Sequence, residues 1–247
     1  MKRSHLFFLL FLVPLFSACK VNHLVRTDPV FYTVEDTLGI RPDSAIVQMI
    51  APYKIQLDEE MAEVIGTFAT DMERGRPESA LWNLVGDALK VKAIEYTGDT
   101  IDFAVANSGG LRIPMIAKGP VKKSDIFELL PFDNILVILE MDGEMVLTLV
   151  KHMAKSSGWP VSKGLTYQIL QSEPQEIKIN GTPLDPTKRY KVALPDYIAN
   201  GGSSAFFLRN IPQQSTGRFM RDAVIEYIQD FKEPIRIPIE GRIEIVN

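Results

Sequence analysis

The chain has 247 residues, 46% of them hydrophobic, with 16 Gly, 16 Pro and a formal net charge of −4. Those values suit a folded protein with room for a sizeable core, and they exclude a disordered or repeat chain. A mildly acidic balance without basic clusters also makes a poor nucleic-acid binder, because that binding depends on neutralising phosphates.

The first 18 residues stand apart. Lys2 and Arg3 form a basic start, residues 6–16 are almost wholly apolar, and Ser17 and Ala18 are small. The run is too short to cross a bilayer and reads as a signal peptide. Cys19, the single cysteine, follows at once, so no internal disulfide can form. Small residues before a lone cysteine resemble a bacterial lipoprotein cleavage site, although Phe16 stands where leucine is usual. That likeness implies an exported protein anchored by a lipid on Cys19; the alternative is a secreted protein with one leftover thiol. Lys20 replaces the aspartate that commonly retains lipoproteins in the inner membrane, so the likeness favours the outer one.

Residues 19–45, with Pro29, Gly39 and Pro42, are expected to be a tether, and residues 46–247 a single domain. The stretch after Pro52 begins as helix and turns to strand over 64–69. A helix is predicted over 78–95, with Leu81, Leu84, Val85, Ala88 and Leu89 on one face. A strand follows over 101–106. Ser124 is the expected N-cap of a short helix over 125–130. Then come a strand over 135–141, a turn at Asp142-Gly143 and a helix over 144–155. From 165 to 194 the pattern is β, broken by the turn signal Asn180-Gly181. An amphipathic helix is predicted over 216–231. Helices mixed with antiparallel strands, without a βαβ rhythm, predict an α+β fold.

The stretch 107–134 carries the chemistry. Where the strand over 101–106 ends, Asn107, Ser108, Gly109, Gly110 and Arg112 offer an amide, a hydroxyl, two residues without Cβ and a cation. Glycines allow backbone N–H groups close to a ligand, and the arginine fork suits an oxyanion or a ribose oxygen. Pro131-Phe132-Asp133-Asn134 then displays an aromatic ring beside another amide. Together these suggest a nucleotide-like ligand. Catalytic chemistry is not legible. Only His5, His23 and His152 are present, with no HxE, DxH or HExxH pattern to build a dinuclear metal centre. His152 is expected to be a partly exposed helix residue, and Ser203-Ser204 reads as loop polarity rather than a nucleophile. No catalytic and no metal-binding residue is assigned, and no cofactor is expected on this chain.

These residues resemble the C-terminal domain of 5′-nucleotidases. The likeness rests on Asn107–Arg112, Gly119, and Pro131–Asn134 followed by a β-rich run. It extends to Arg76-Pro77-Glu78 leading into Leu81–Ala88, with Trp82 in place of the usual glycine, and to Tyr190–Ala193 and Asp196–Gly202. It implies a single domain of mixed and antiparallel sheets packed with helices, recognising a nucleotide or nucleoside. It also implies that Phe132 and Tyr197 sandwich the base, and that Asn107, Arg112 and Asn134 contact ribose, phosphate or base. Gly109, Gly110, Gly201, Gly202 and Ser203 complete the expected binding set. Ser203 departs from the family's aspartate, which should weaken or change ribose selection. Gly75, flanked by Arg74 and Arg76, falls where the family has a phosphate-side arginine. In that family a separate metallophosphatase domain carries the two metal ions, so the resemblance implies the recognition half of a nucleotidase, with divalent metals on a partner. The alternative is a non-catalytic binding or interaction lipoprotein with a changed ligand.

Overall fold

The computed structural model describes residues 43–246. The signal peptide, Cys19 and nearly all of the expected tether lie outside them. Helix α1 (Ser44–Met61) starts within the last residues of that expected tether. The Asp43 carboxylate accepts from the Ala45 N–H at 2.8 Å and sets the start. Strands β1 (Val64–Phe68) and β2 (Met72–Glu73) lead to helix α2 (Ala80–Thr97), and from it to β3 (Phe103–Ala104), β4 (Met115–Ile116) and β5 (Gly119–Lys122). Helix α3 (Lys123–Leu129), strand β6 (Ile135–Asp142) and helix α4 (Gly143–Lys155) come next. The β-rich stretch holds β7 (Leu165–Leu170), β8 (Glu173–Ile179), β9 (Thr182–Pro183) and β10 (Arg189–Pro195). Short helix α5 (Asp196–Ala199), strand β11 (Gln213–Phe219), helix α6 (Met220–Gln229) and strand β12 (Ile243–Val246) complete the order. From Ile50 onward the chain forms one compact unit, and its mixture of helices with mixed and antiparallel sheets is the predicted α+β class.

A four-stranded sheet in the order β11-β6-β10-β3 divides two hydrophobic cores. Strand β6 shows how. Leu136 and Ile138 enter the core beneath α2 and α6, whereas Val137, Leu139 and Met141 enter the other core with α4. That is the period-2 alternation of a strand buried on both faces. The second core is closed by a sheet in the order β12-β7-β8-β9, which contributes Leu165, Tyr167, Ile169, Ile179 and Ile243. Asn180 and Gly181, at φ 51° and 78°, make the hairpin turn between β8 and β9.

Helix α2 runs through the first core. Ser79 caps it by accepting from the Trp82 N–H, and Gly98 ends it in the left-handed conformation at φ 70°. The five predicted face residues are fully buried, and Asn83, Asp87 and Lys92 on its other sides are buried as well. Each of those three is paired: Asn83 with Glu78, Asp87 with Arg242, Lys92 with Asp230. Gly86 lets the helix touch backbone, since a Cβ there would lie 2.4 Å from the Val161 carbonyl carbon. Gly86→Ala should therefore lose about 1–3 kcal/mol through overpacking, read as a lower urea midpoint. An unchanged midpoint would show that the 161–162 segment yields freely.

Two predicted boundaries are corrected. The last helix begins at Met220, not at 216, because 213–219 is drawn into the central sheet. Ser215 pairs with Val137 and Phe219 with Ile135, and the Thr216 hydroxyl donates to the Leu136 carbonyl at 2.7 Å. Helix α3 begins at Lys123, with Lys122 rather than Ser124 at its cap. The Asp125 carboxylate accepts from the Lys122 N–H at 2.7 Å and fixes that earlier start.

Candidate functional site

Sheet topology gathers the site. Strand β3 is parallel to β10, with Phe103 beside Val192 and Ala104 beside Ala193, so both strands end at the same edge. Strand β6 is antiparallel to β10, with Leu136 beside Pro195, so it begins where β10 ends. Three segments distant in sequence, 107–112, 132–134 and 196–203, therefore meet. Asp196 ties two of them: one carboxylate oxygen accepts from the N–H groups of Ile135 at 3.1 Å and Tyr197 at 2.7 Å.

They enclose a cleft of about 380 Å³ lined by Asn107, Gly109, Gly110, Arg112, Phe132, Asn134, Tyr197 and Ser203. Eight of the ten residues singled out in the sequence thus share one concavity. Gly201 and Gly202 line a shallower hollow next to it, which shares Asn134 and Tyr197. Phe132 and Tyr197 are each 48% exposed, so neither ring is consumed by a core.

Each wall has a local cause. Asn107 is buried, its carbonyl accepts from the Gly110 N–H at 3.0 Å, and a Cβ on Gly110 would press to 3.0 Å from the Asn107 amide oxygen. Arg112 lies 5.9 Å over the Phe132 ring and donates to the Gly109 carbonyl at 3.3 Å. The turn bearing Phe132 is pinned from below by Arg221, which donates to the Leu130 carbonyl at 3.3 Å and the Asp133 carboxylate at 2.8 Å. Its guanidinium also stacks 4.1 Å from the Phe127 ring centre. Sequence reasoning missed Arg221; its signal is a cation within the buried stripe of α6, between Met220 and Ala223.

Tyr197 is held by its neighbours. The Ser203 N–H donates to its hydroxyl at 3.2 Å, and its ring lies against Gly202, where a Cβ would come within 2.5 Å of two ring carbons and 2.4 Å of the Tyr197 carbonyl oxygen. Gly202→Ala should therefore displace the ring and cost about 1–3 kcal/mol. Thermal unfolding and the Tyr197 ring resonances check this, and unchanged resonances would count against it.

A second hollow of about 380 Å³ adjoins the cleft at Gly109 and is lined also by Arg74, Gly75, Arg76, Trp82 and Ser108. Arg76 donates to the Ser108 hydroxyl at 3.1 Å, and Arg74 to the Leu111 carbonyl. Both arginines that flank Gly75 thus reach the glycine-bearing loop. Cleft and hollow together are lined, among the described residues, by three arginines and no carboxylate, a field suited to an anion. Among the described residues, no group of three or more His, Cys, Asp or Glu comes together in a way that could hold a metal ion. His152 is half-buried on α4, in keeping with a partly exposed helix residue, but its ring contacts the site loop: Nε2 lies 2.8 Å from the Ser203 carbonyl oxygen. Among the described residues no helix is long and apolar enough to cross a membrane.

The profile of the family described as "5′-nucleotidase, C-terminal domain" matches residues 63–209, more than half of the chain. The chain belongs to that family. Among curated proteins it is similar to the endonuclease YhcR of Bacillus subtilis, with 26% identity over 86% of this chain and 18% of that protein. It is also similar to UshA of Escherichia coli, with 28% identity over 83% of this chain and 37% of UshA. Among solved structures, the 5′-nucleotidase precursor of Thermus thermophilus superposes with a TM-score of 0.72 and 26% identity, over 83% of this chain and 44% of that one. The chain thus spans less than half the length of each of these three proteins. What is shared is the nucleotidase-related C-terminal domain, and the activities of the longer proteins do not follow from it.

Proposed function

We propose that this chain binds a nucleotide or nucleoside in the 107–112/132–134/196–203 cleft, with the base between Phe132 and Tyr197. It acts as the substrate-recognition half of a 5′-nucleotidase-type hydrolase in nucleotide catabolism, and the metal centre lies on a separate metallophosphatase partner. The N-terminal signal pattern and Cys19 support a location outside the cytoplasm, with a lipid anchor at the cell envelope, on the outer membrane. One observation carries the reading: two half-exposed aromatic rings, from loops far apart in sequence, line one cleft beside Arg112. Aromatic rings hold bases of any identity through their π-faces. The arginines of the adjoining hollow suit the phosphate end.

Adenosine and AMP should each raise the unfolding midpoint of the purified chain. At about 100 times the dissociation constant the gain is roughly 2.7 kcal/mol. With Mn²⁺ or Zn²⁺ the chain alone should release negligible phosphate from AMP; robust metal-dependent hydrolysis would sink the split arrangement. A second reading, an interaction lipoprotein with a changed ligand, is favoured by one feature: among the described residues the cleft lining offers Ser203 and no carboxylate. No shift with any nucleoside or nucleotide would select it.

A further inference from the structure

The loop that follows Tyr197 turns back on itself through Ser203 and Ser204, at φ 52° and 64°. Residues other than glycine hold such left-handed conformations when their surroundings fix them. At Ser203 the fixing contacts are both visible. Its N–H points to the Tyr197 hydroxyl at 3.2 Å, and its carbonyl oxygen points the other way, to His152 Nε2 at 2.8 Å. A carbonyl can only accept, so Nε2 carries the proton and donates. The imidazole is itself held edge-on by Trp159 at 5.4 Å and Phe207 at 5.6 Å between ring centres. Imidazole, the Ser203 backbone and a phenol therefore form a chain from α4 to the wall of the cleft.

We infer that His152 is a positioning residue for the Tyr197 ring, acting through the Ser203 backbone and touching no ligand itself. The donor decides the orientation of that backbone, and the Ser203 N–H decides where the phenol rests. Its consequence for ligand affinity rests on the nucleoside-binding reading above; the relay itself is a matter of geometry. Glutamine can present an amide N–H near the place of Nε2, whereas leucine fills the space without a donor.

The test follows adenosine affinity and the Tyr197 ring signal in ¹³C-tyrosine-labelled protein, the signal being assigned by its loss in Tyr197→Phe. His152→Leu should weaken adenosine binding about tenfold, the scale of one lost hydrogen bond, and shift or broaden the Tyr197 signal. His152→Gln should retain both. In a Tyr197→Phe background, where the relay is already cut, His152→Leu should cost no further affinity. Should His152→Leu fail to fold, His152→Asn replaces it, because its shorter amide matches Nδ1 rather than Nε2, and the same contrast with His152→Gln is expected. Equal losses in the glutamine and leucine variants, or an undisturbed Tyr197 signal in the variant without the donor, would overturn the inference. If adenosine does not bind the wild type while the Tyr197 signal follows the pattern, the nucleoside reading falls and the relay stands.

Discussion

Phe132→Ala and Tyr197→Ala are each expected to weaken adenosine binding by about 1–3 kcal/mol, the usual loss for one base–aromatic stack. That corresponds to roughly five- to 150-fold in dissociation constant, readable by titration calorimetry. Stability should change little, because both rings are 48% exposed and contribute modestly to either core. Tyr197→Phe separates the ring from its hydroxyl: stacking persists, while the contact from the Ser203 N–H is lost. Wild-type affinity in both alanine variants would mean that the cleft holds its ligand by other means.

Arg242→Met should destabilise the fold by about 3–5 kcal/mol, the cost of stranding a buried charge. Arg242 and Asp87 side chains are 2% and 10% exposed and meet through two parallel contacts, at 2.8 Å and 2.7 Å. Arg242 also donates to the Val161 carbonyl at 2.9 Å and to Glu240 at 2.7 Å. It therefore joins the start of the last strand to α2 and to the segment that Gly86 touches. Methionine can fill the space but removes the paired guanidinium, leaving desolvated Asp87 with the Lys163 N–H at 2.8 Å and, without a direct bond, the charge of Lys90. Adding Asp87→Leu should recover most of the loss, since two apolar groups replace a buried pair at little net cost. Urea denaturation followed by circular dichroism measures both steps. A loss below about 1 kcal/mol in the single variant would show that water reaches Asp87 and that the pair behaves as a surface one.

Local patterning was legible where one period dominated a segment. The 78–95 periodicity became α2, and the 135–141 run became β6 nearly to the residue. It failed where long-range pairing competed with it. Residues 216–219 fit a helical face through Phe219, yet Phe219 pairs with Ile135 of β6 and 216–218 form a bulge in that strand, tied to β6 through the Thr216 hydroxyl. The extended run 101–106 is a regular ladder only at Phe103–Ala104. Val105 still donates to Ala193 of β10, but Ala106 turns away to the Pro160 carbonyl. Strand β12 carries no distinctive signal, because its partner β7 lies far earlier in the chain, with Ile243 beside Tyr167.

The sequence by itself offered two glycines after a strand, Arg112 and one displayed aromatic, Phe132, while Tyr197 entered through the family resemblance. The glycines, Arg112 and Phe132 are matters of composition and short spacing, which local chemistry reads directly. Tertiary structure decided how Phe132 and Tyr197, which the resemblance places on either side of one base, come to line the same cleft: the parallel pairing of β3 with β10 and the antiparallel pairing of β10 with β6 bring their loops to one edge. It also revealed Arg221 beneath Phe132 and His152 behind Ser203. Supporting contacts of that kind join residues 51 and 88 positions apart, and no spacing rule along a chain encodes which distant partner will satisfy a buried donor.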